Sequence, residues 1–520
     1  MKELRADKLG VMINIFMVLV CCLFIVGCGT ELRNTESEIY IKPFKDFQYP
    51  PKTLSVEKLL SSNSSSRDFT DIRFQEINLI NGFQVFLLAR QDLPSISISA
   101  IIKGGKHHSD TVDELLSPLA LKLLKQGTAK YPRSEFQRQT AFLGEVMKYR
   151  QTSGYSVISI DILPQDLDLA LDLLSQQLVH IDPHENAIGK IIEQQILEKK
   201  LAQSSGFYLA KLLFYQMNYP QDHFYYYRDA DSDLIKALNN DSGKKQLIDF
   251  YRRHYLPEQS KLIITGDIDV KKIQQQVEQY FLIWPANEKN KISKLNREFY
   301  KESKFKRKIS RIDVIDRKGS QQADILYGVV TITDTETGNR VSSDWVALKT
   351  IAALLGGGPR SRLFADLREQ QGLTYSISAR QTSGRYRSPF FIQTSAAHEK
   401  MVQTISGIKK HLEYLCRNKV DEKELNQLKQ QLVGEIAFQF QTNRQWINDK
   451  IHQLEIGLSD DYISDMILKI ESMTPEQLLT VSKQYLCAEN SFIVVGEEDK
   501  LEKNLRRQFN QYQYQSHNLP

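Results

Sequence analysis

Tyr255-Leu256-Pro257-Glu258-Gln259-Ser260-Lys261-Leu262-Ile263-Ile264-Thr265-Gly266-Asp267 returns in altered form as Tyr485-Leu486-Cys487-Ala488-Glu489-Asn490-Ser491-Phe492-Ile493-Val494-Val495-Gly496-Glu497, 230 positions later (485 against 255). In each copy a helical pattern ends at Tyr-Leu, a short apolar strand follows, and a Gly-acidic pair closes it. A further helical pattern begins at Val270 in the first copy and at Lys500 in the second. Matching order, spacing and chemistry read as an internal duplication, which fixes two halves before any other element is assigned.

Outward from the repeat, each half alternates strands with long helical stretches. Ile77–Leu88 contains Asn81-Gly82 and reads as a hairpin, with a further strand over Ser95–Ile102. Helical spacing runs over 166–179 and 185–202 in the first half, and over 400–415 and 421–438 in the second. Strands with helices segregated between them predict an α+β class. The expected architecture is two duplicated halves forming a clamshell, each a mainly antiparallel sheet with helices on it.

The expected divisions are 1–27, 28–71, 72–285, 286–311, 312–510 and a tail at 511–520. The 286–311 division is basic: residues 289–311 hold ten Lys or Arg against two Glu. Such a run reads as a solvated linker, with contact to anionic headgroups or an acidic partner left open. The whole chain of 520 residues carries only +5, so nucleic-acid binding is not indicated. An aromatic content of 10% excludes wholesale disorder.

The N-terminus has a charged start, then an apolar run from Val11 to Val26 broken only by Asn14, then Gly27-Cys28. The run is shorter than the ~20 residues a spanning helix needs, so 1–27 reads as a signal peptide. Ile25-Val26-Gly27-Cys28 resembles the bacterial lipobox. That resemblance implies cleavage before Cys28 and a lipid on its thiol, with an uncleaved signal anchor as the other reading. Gly29 in place of Asp points to the outer membrane, facing the periplasm. Residues 28–71, with Pro43, Pro50, Pro51 and the run Ser61–Ser66, read as a polar tether. Cys416 and Cys487 remain in the mature chain; they read as buried free thiols, with one disulfide left open.

The chemistry-bearing stretch lies in the second half. Leu354-Leu355-Gly356-Gly357-Gly358-Pro359-Arg360-Ser361-Arg362-Leu363-Phe364 continues to Leu367-Arg368-Glu369-Gln370-Gln371-Gly372-Leu373-Thr374-Tyr375-Ser376. Gly356, Gly357 and Gly358 permit a tight turn. Helical spacing puts Leu363 and Leu367 on one face, and Gly372 can end the helix in a left-handed conformation. Arg368 and Tyr375 can then point into one space, where a guanidinium and a phenol offer donors to a peptide carbonyl. Local sequence equally allows a surface Arg and a half-buried Tyr. A phosphate loop is excluded because no Lys-Ser/Thr pair follows the glycines.

Two halves of this size, the strand-Gly-acidic ending and this Gly-rich turn, helix, Arg and Tyr resemble the pitrilysin/insulinase family of zinc metallopeptidases. The resemblance implies a His-x-x-Glu-His helix in the first half: two imidazoles one turn apart bind zinc and the Glu activates water. Gln126-Gly127-Thr128, similar to the family's Lys-Gly-Thr, anchors the motif onto Pro118-Leu119-Ala120-Leu121-Lys122. Pro118 and Lys122 then stand where the histidines would, Leu121 where the Glu would, and Gln195 at the distal ligand. Glu193 and Glu198 lie nearby. Pro118 is expected at the first position of its helix with Ser117 as cap.

No metal is therefore expected in this chain, and none is assigned to His107-His108 or to the His180/His184 pair. Tyr225-Tyr226-Tyr227 reads as packing before ligand binding. The resemblance implies a non-catalytic subunit that pairs with a zinc-bearing His-x-x-Glu-His member and supplies Arg368 and Tyr375 to a peptide substrate. A peptide-binding or scaffold lipoprotein with no part in proteolysis, and an independent zinc peptidase with a displaced motif, are the competing readings.

Overall fold

The structure is a computed structural model. It describes residues 73–105, 111–181, 185–221, 223–227, 232–286, 310–335, 339–487 and 491–518, all within the unit Asp68–Pro520. The signal, the tether with Cys28, His107-His108, His184 and nearly all of the basic linker lie outside the described residues.

The first half carries strands β1 (Gln75–Asn78), β2 (Gln84–Ala89), β3 (Ile96–Lys103), β4 (Lys148–Gln151), β5 (Tyr155–Ile162) and β6 (Ser260–Gly266). Its helices are α1 (Thr111–Leu123), α2 (Arg133–Phe142), α3 (Leu167–Val179), α4 (Glu185–Gln203), α5 (Gly206–Asn218), α6 (Ser232–Ala237), α7 (Asp241–His254) and α8 (Val270–Phe281). The second half carries β7 (Arg311–Asp316), β8 (Gln322–Val330), β9 (Thr374–Gln381), β10 (Pro389–Ala397), β11 (Ser491–Gly496) and β12 (Gln513–His517). Its helices are α9 (Ser343–Gly356), α10 (Met401–Arg417), α11 (Glu422–Phe438), α12 (Asn443–Ile456), α13 (Tyr462–Glu471), α14 (Pro475–Tyr485) and α15 (Glu498–Gln508), besides a π-helical turn over Phe364–Gln370.

The two sheets run β1-β2-β6-β3-β5-β4 and β12-β7-β11-β8-β10-β9. Their inner strands correspond one to one, so the sequence repeat is the central strand of each sheet, β6 and β11. In both sheets the central strand runs parallel to one neighbour and antiparallel to the other. Gly266 closes β6 because a Cβ there would lie 2.1 Å from the Ser95 carbonyl oxygen. The Asn81-Gly82 hairpin forms as read, with Gly82 at φ 85° and the Asn81 amide donating to the Phe281 and Trp284 carbonyls at 2.8 and 3.1 Å.

Each sheet is covered on one side by a helix from the other half. Helix α5 lays Leu209, Ala210, Leu213 and Phe214 against Ile315, Leu326, Phe391 and Ile493 of the second sheet. In return, α12 lays Ile447 and Ile451 against Phe86, Ile101, Val157 and Ile263 of the first. Polar contacts fix that second docking. The Arg444 guanidinium donates to Asp161 at 2.7 Å, to Ser99 Oγ at 2.7 Å, and to the Ile160 and Ile98 carbonyls at 2.6 and 3.2 Å. At the far end of α12, Gly154 N–H donates to Glu455 at 2.6 Å.

Four expectations are corrected. Pro118 is not at a helix start: α1 already runs from Thr111, and Ser117 Oγ instead donates to the Gly104 and Gly105 carbonyls at 2.9 Å each. Cys416 and Cys487 form a disulfide rather than free thiols, tying the end of α10 to the end of α14. Residues read as a tail form β12, parallel to β7, with His517 Nε2 2.7 Å from Asp313. A polar edge strand with one solvated face has too little apolar alternation to be seen in sequence. Arg311, placed in the linker, is likewise the first residue of β7.

Candidate functional site

Arg368 and Tyr375 are brought together by the Gly-rich turn. Gly356 lets the end of α9 approach β9 closely, since a Cβ there would lie 2.2 Å from Ala379 N. Gly358 then turns the chain at φ 146°. The π-helical turn buries Leu363 and Leu367 completely. Gly372, at φ 59°, ends it, with its N–H donating to the Arg368 carbonyl at 3.1 Å. The chain re-enters the sheet as β9, an edge strand, with Tyr375 at its second position.

The result is a partly exposed cation on two rings. Arg368 Cζ lies 4.5 Å from the Phe364 ring centre and 4.8 Å from that of Tyr375. Tyr375 is 82% exposed, not half-buried. Arg368 pairs with its neighbour Glu369 at 3.3 Å. Stacking holds the guanidinium plane while leaving N–H groups at its edge for an incoming acceptor. With the phenol beside it, the pair can hold a carbonyl or carboxylate oxygen.

The four positions that the resemblance assigns to a metal site, Pro118, Leu121, Lys122 and Gln195, lie on α1 and α4. Leu121 is 6% exposed and apolar, and Pro118 offers no ligand atom. Lys122 points its ammonium at Glu198, 2.6 Å away, so a fixed cation occupies the junction of the two helices. Glu198 also accepts from Gln194 at 2.9 Å. The Gln195 Oε1 atom is buried without a hydrogen-bond partner. An ammonium repels zinc and a leucine cannot activate water, so these residues do not fit the metal. Among the described residues no three His, Cys, Asp or Glu side chains cluster to hold one. His180 ends α3, and its carbonyl accepts from Ala129 N.

Tyr225 is packing: it is 8% exposed, with its ring 5.9 Å from that of Tyr386 in the other half. Sequence reasoning missed a buried polar group in the second half. Burial pushes the Asp334 carboxyl up to about 7 and the Asp449 carboxyl up to about 6, and pulls the His452 imidazole down to about 4. Burial also lowers the Lys349 amine, against the pull of Asp334. Their sequence neighbourhoods carry no motif, so only the fold could reveal them.

A sequence profile for the Peptidase M16 inactive domain matches residues 243–432. The uncharacterized zinc protease YmxG of Bacillus subtilis is 21% identical over 417 residues, covering 80% of this chain and 96% of the relative. The non-peptidase homolog YmxG of Helicobacter pylori is 21% identical over 392 residues, covering 74% of this chain and 85% of the relative. Among solved structures, a protease from Helicobacter pylori superposes with a TM-score of 0.72 at 16% identity, over 82% of this chain and 99% of that one. The M16 inactive domain from Pseudomonas fluorescens gives 0.68 at 18% identity, over 82% and 98%. At such identities the structural likeness concerns the fold.

Proposed function

We propose that the chain, similar over residues 243–432 to the Peptidase M16 inactive domain and along most of its length to a non-peptidase homologue, is a pitrilysin/insulinase-type homologue without the zinc motif and the non-catalytic subunit of a heteromeric peptidase. A second family member bearing His-x-x-Glu-His supplies the zinc and the attacking water. This chain supplies Arg368 and Tyr375, which bind the substrate peptide through a backbone carbonyl. One observation carries the reading: the Arg368–Tyr375 pair is assembled and presented at the surface, while the metal positions hold Pro118, Leu121, Lys122 and Gln195.

The assembly belongs in the bacterial cell envelope. Cys28 carries the lipid anchor, at the outer membrane facing the periplasm. The Cys416–Cys487 disulfide supports an oxidising compartment.

The test is peptide cleavage by the reconstituted pair. Arg368→Ala should lower kcat/KM by about 100-fold, the effect of removing one oxyanion donor, with the pair still assembled by size-exclusion chromatography. Unchanged cleavage kinetics in an intact pair would remove Arg368 from substrate binding and favour a scaffold lipoprotein with no part in proteolysis.

A further inference from the structure

Helix α10 and the turn before Arg368 bound an open surface cavity of about 420 Å³. The cavity is on the other side of that turn from Tyr375. Arg362 and Asp366 face α10 and α11, whereas Phe364 and Arg368 face β9. Its lining includes Arg362, Lys410, His411, Tyr414 and Arg417, with Glu413 as the single acid.

Most of these charges are already matched. Arg362 makes a two-point bond to Glu424 at 2.9 and 2.5 Å and lies 5.3 Å from the Tyr414 ring centre. His411 Nε2 is 2.8 Å from Asp366, and Glu413 pairs with Lys409 at 3.5 Å. Lys410 and Arg417 are different: among the described residues neither has an ion-pair partner. Lys410 reaches Asp366 only at longer range. The two are seven positions apart on α10, hence on one face and about 10 Å apart along the axis.

The wall carrying them is held firmly, by the Cys416–Cys487 disulfide beside Arg417 and by the Arg362–Glu424 clamp opposite. Two unmatched cations about 10 Å apart suit two carboxylates of one extended chain better than one compact anion, because same-face side chains two and four residues apart on a strand are separated by about 7 and 13 Å, within reach of flexible Lys and Arg side chains. Tyr414, half-exposed between them, offers an apolar face for the chain to cross.

We propose that this cavity binds an acidic peptide segment, with Lys410 and Arg417 each engaging a carboxylate. The site is separate from the Arg368–Tyr375 pair and does not depend on its role. The experiment measures binding of a fluorescent Glu-Ser repeat decapeptide to the full chain by anisotropy, with its Gln-Ser counterpart and inorganic phosphate as comparisons. The acidic peptide should bind and the Gln form should not. Lys410→Glu/Arg417→Glu should weaken binding at least tenfold, and the milder Lys410→Gln/Arg417→Gln should do so in the same direction. Lys271→Glu/Lys272→Glu, on the exposed face of α8, should leave it unchanged. Equal binding by the α10 variants, equal loss in the α8 control, or full competition by millimolar phosphate would each overturn the assignment.

Discussion

The Lys122 ammonium lies 2.6 Å from the Glu198 carboxylate, joining α1 to α4. The side chains are 13% and 48% exposed, so the pair is half in water and worth about 1 kcal/mol at most. Lys122→Ala should therefore lower stability by no more than that in urea denaturation. Zinc should not raise the thermal midpoint of the full chain, because a ligand that stabilises must bind the folded state. A rise with one equivalent of zinc would show that a metal site survives.

Arg444 should be the costliest single position between the halves. It satisfies Asp161, Ser99 and two carbonyls of the first sheet from a helix of the second half. Burial pushes the Asp161 carboxyl up, but Arg444 and Ser97 outweigh it and hold the net below the usual range. Arg444→Ala leaves that carboxylate and both carbonyls short of a donor, at a cost of about 2–3 kcal/mol. Arg444→Lys should recover little, because an ammonium cannot reproduce the planar fork. Comparable stabilities of the three proteins in urea would count against the docking role.

The sequence reveals what is local or repeated. Asn81-Gly82 announces its hairpin, the 230-residue repeat announces two matching sheets, and Arg368 and Tyr375 are close enough in sequence for one turn to place them. The arginine that joins the halves has its acidic partner 283 positions away, and nothing near Arg444 advertises it. Pro118 misleads because proline favours a helix start, yet the helix tolerates it internally, where only the bond to the Glu114 carbonyl is lost. Two cysteines 71 positions apart do not say whether they meet.

The Cys416–Cys487 bond should matter to stability more than either thiol does to packing. It closes a loop of 71 positions, and the chain-entropy estimate for such a loop is about 4 kcal/mol. Cys416→Ser/Cys487→Ser should lose between about 2 and 4 kcal/mol in urea. A reductant should lower the thermal midpoint of the wild type and leave the variant unmoved. Equal midpoints with and without reductant would show that the bond is dispensable.

Asp449 should make the second half more stable in mild acid than at neutral pH. Burial raises its carboxyl to about 6, although Tyr462, which donates to it, and the cations Lys450 and Lys349 pull the other way. In the unfolded chain the same group titrates near ~4. Between these values the folded state holds a proton the unfolded state has lost, so the contribution is present below about 4 and is lost as pH rises through about 6. His452 opposes this: its folded value of about 4 lies below its ordinary one, so it favours folding more as pH rises across the same window. The wild-type curve alone therefore conceals both. Asp449→Asn removes one and keeps the other, with the amide oxygen still able to accept from Tyr462. Its stability relative to wild type should climb from pH 4 to pH 6 and level off by about 7. Urea denaturation at four pH values across that range reads the difference directly, and a difference constant with pH would mean that Asp449 is ionised throughout.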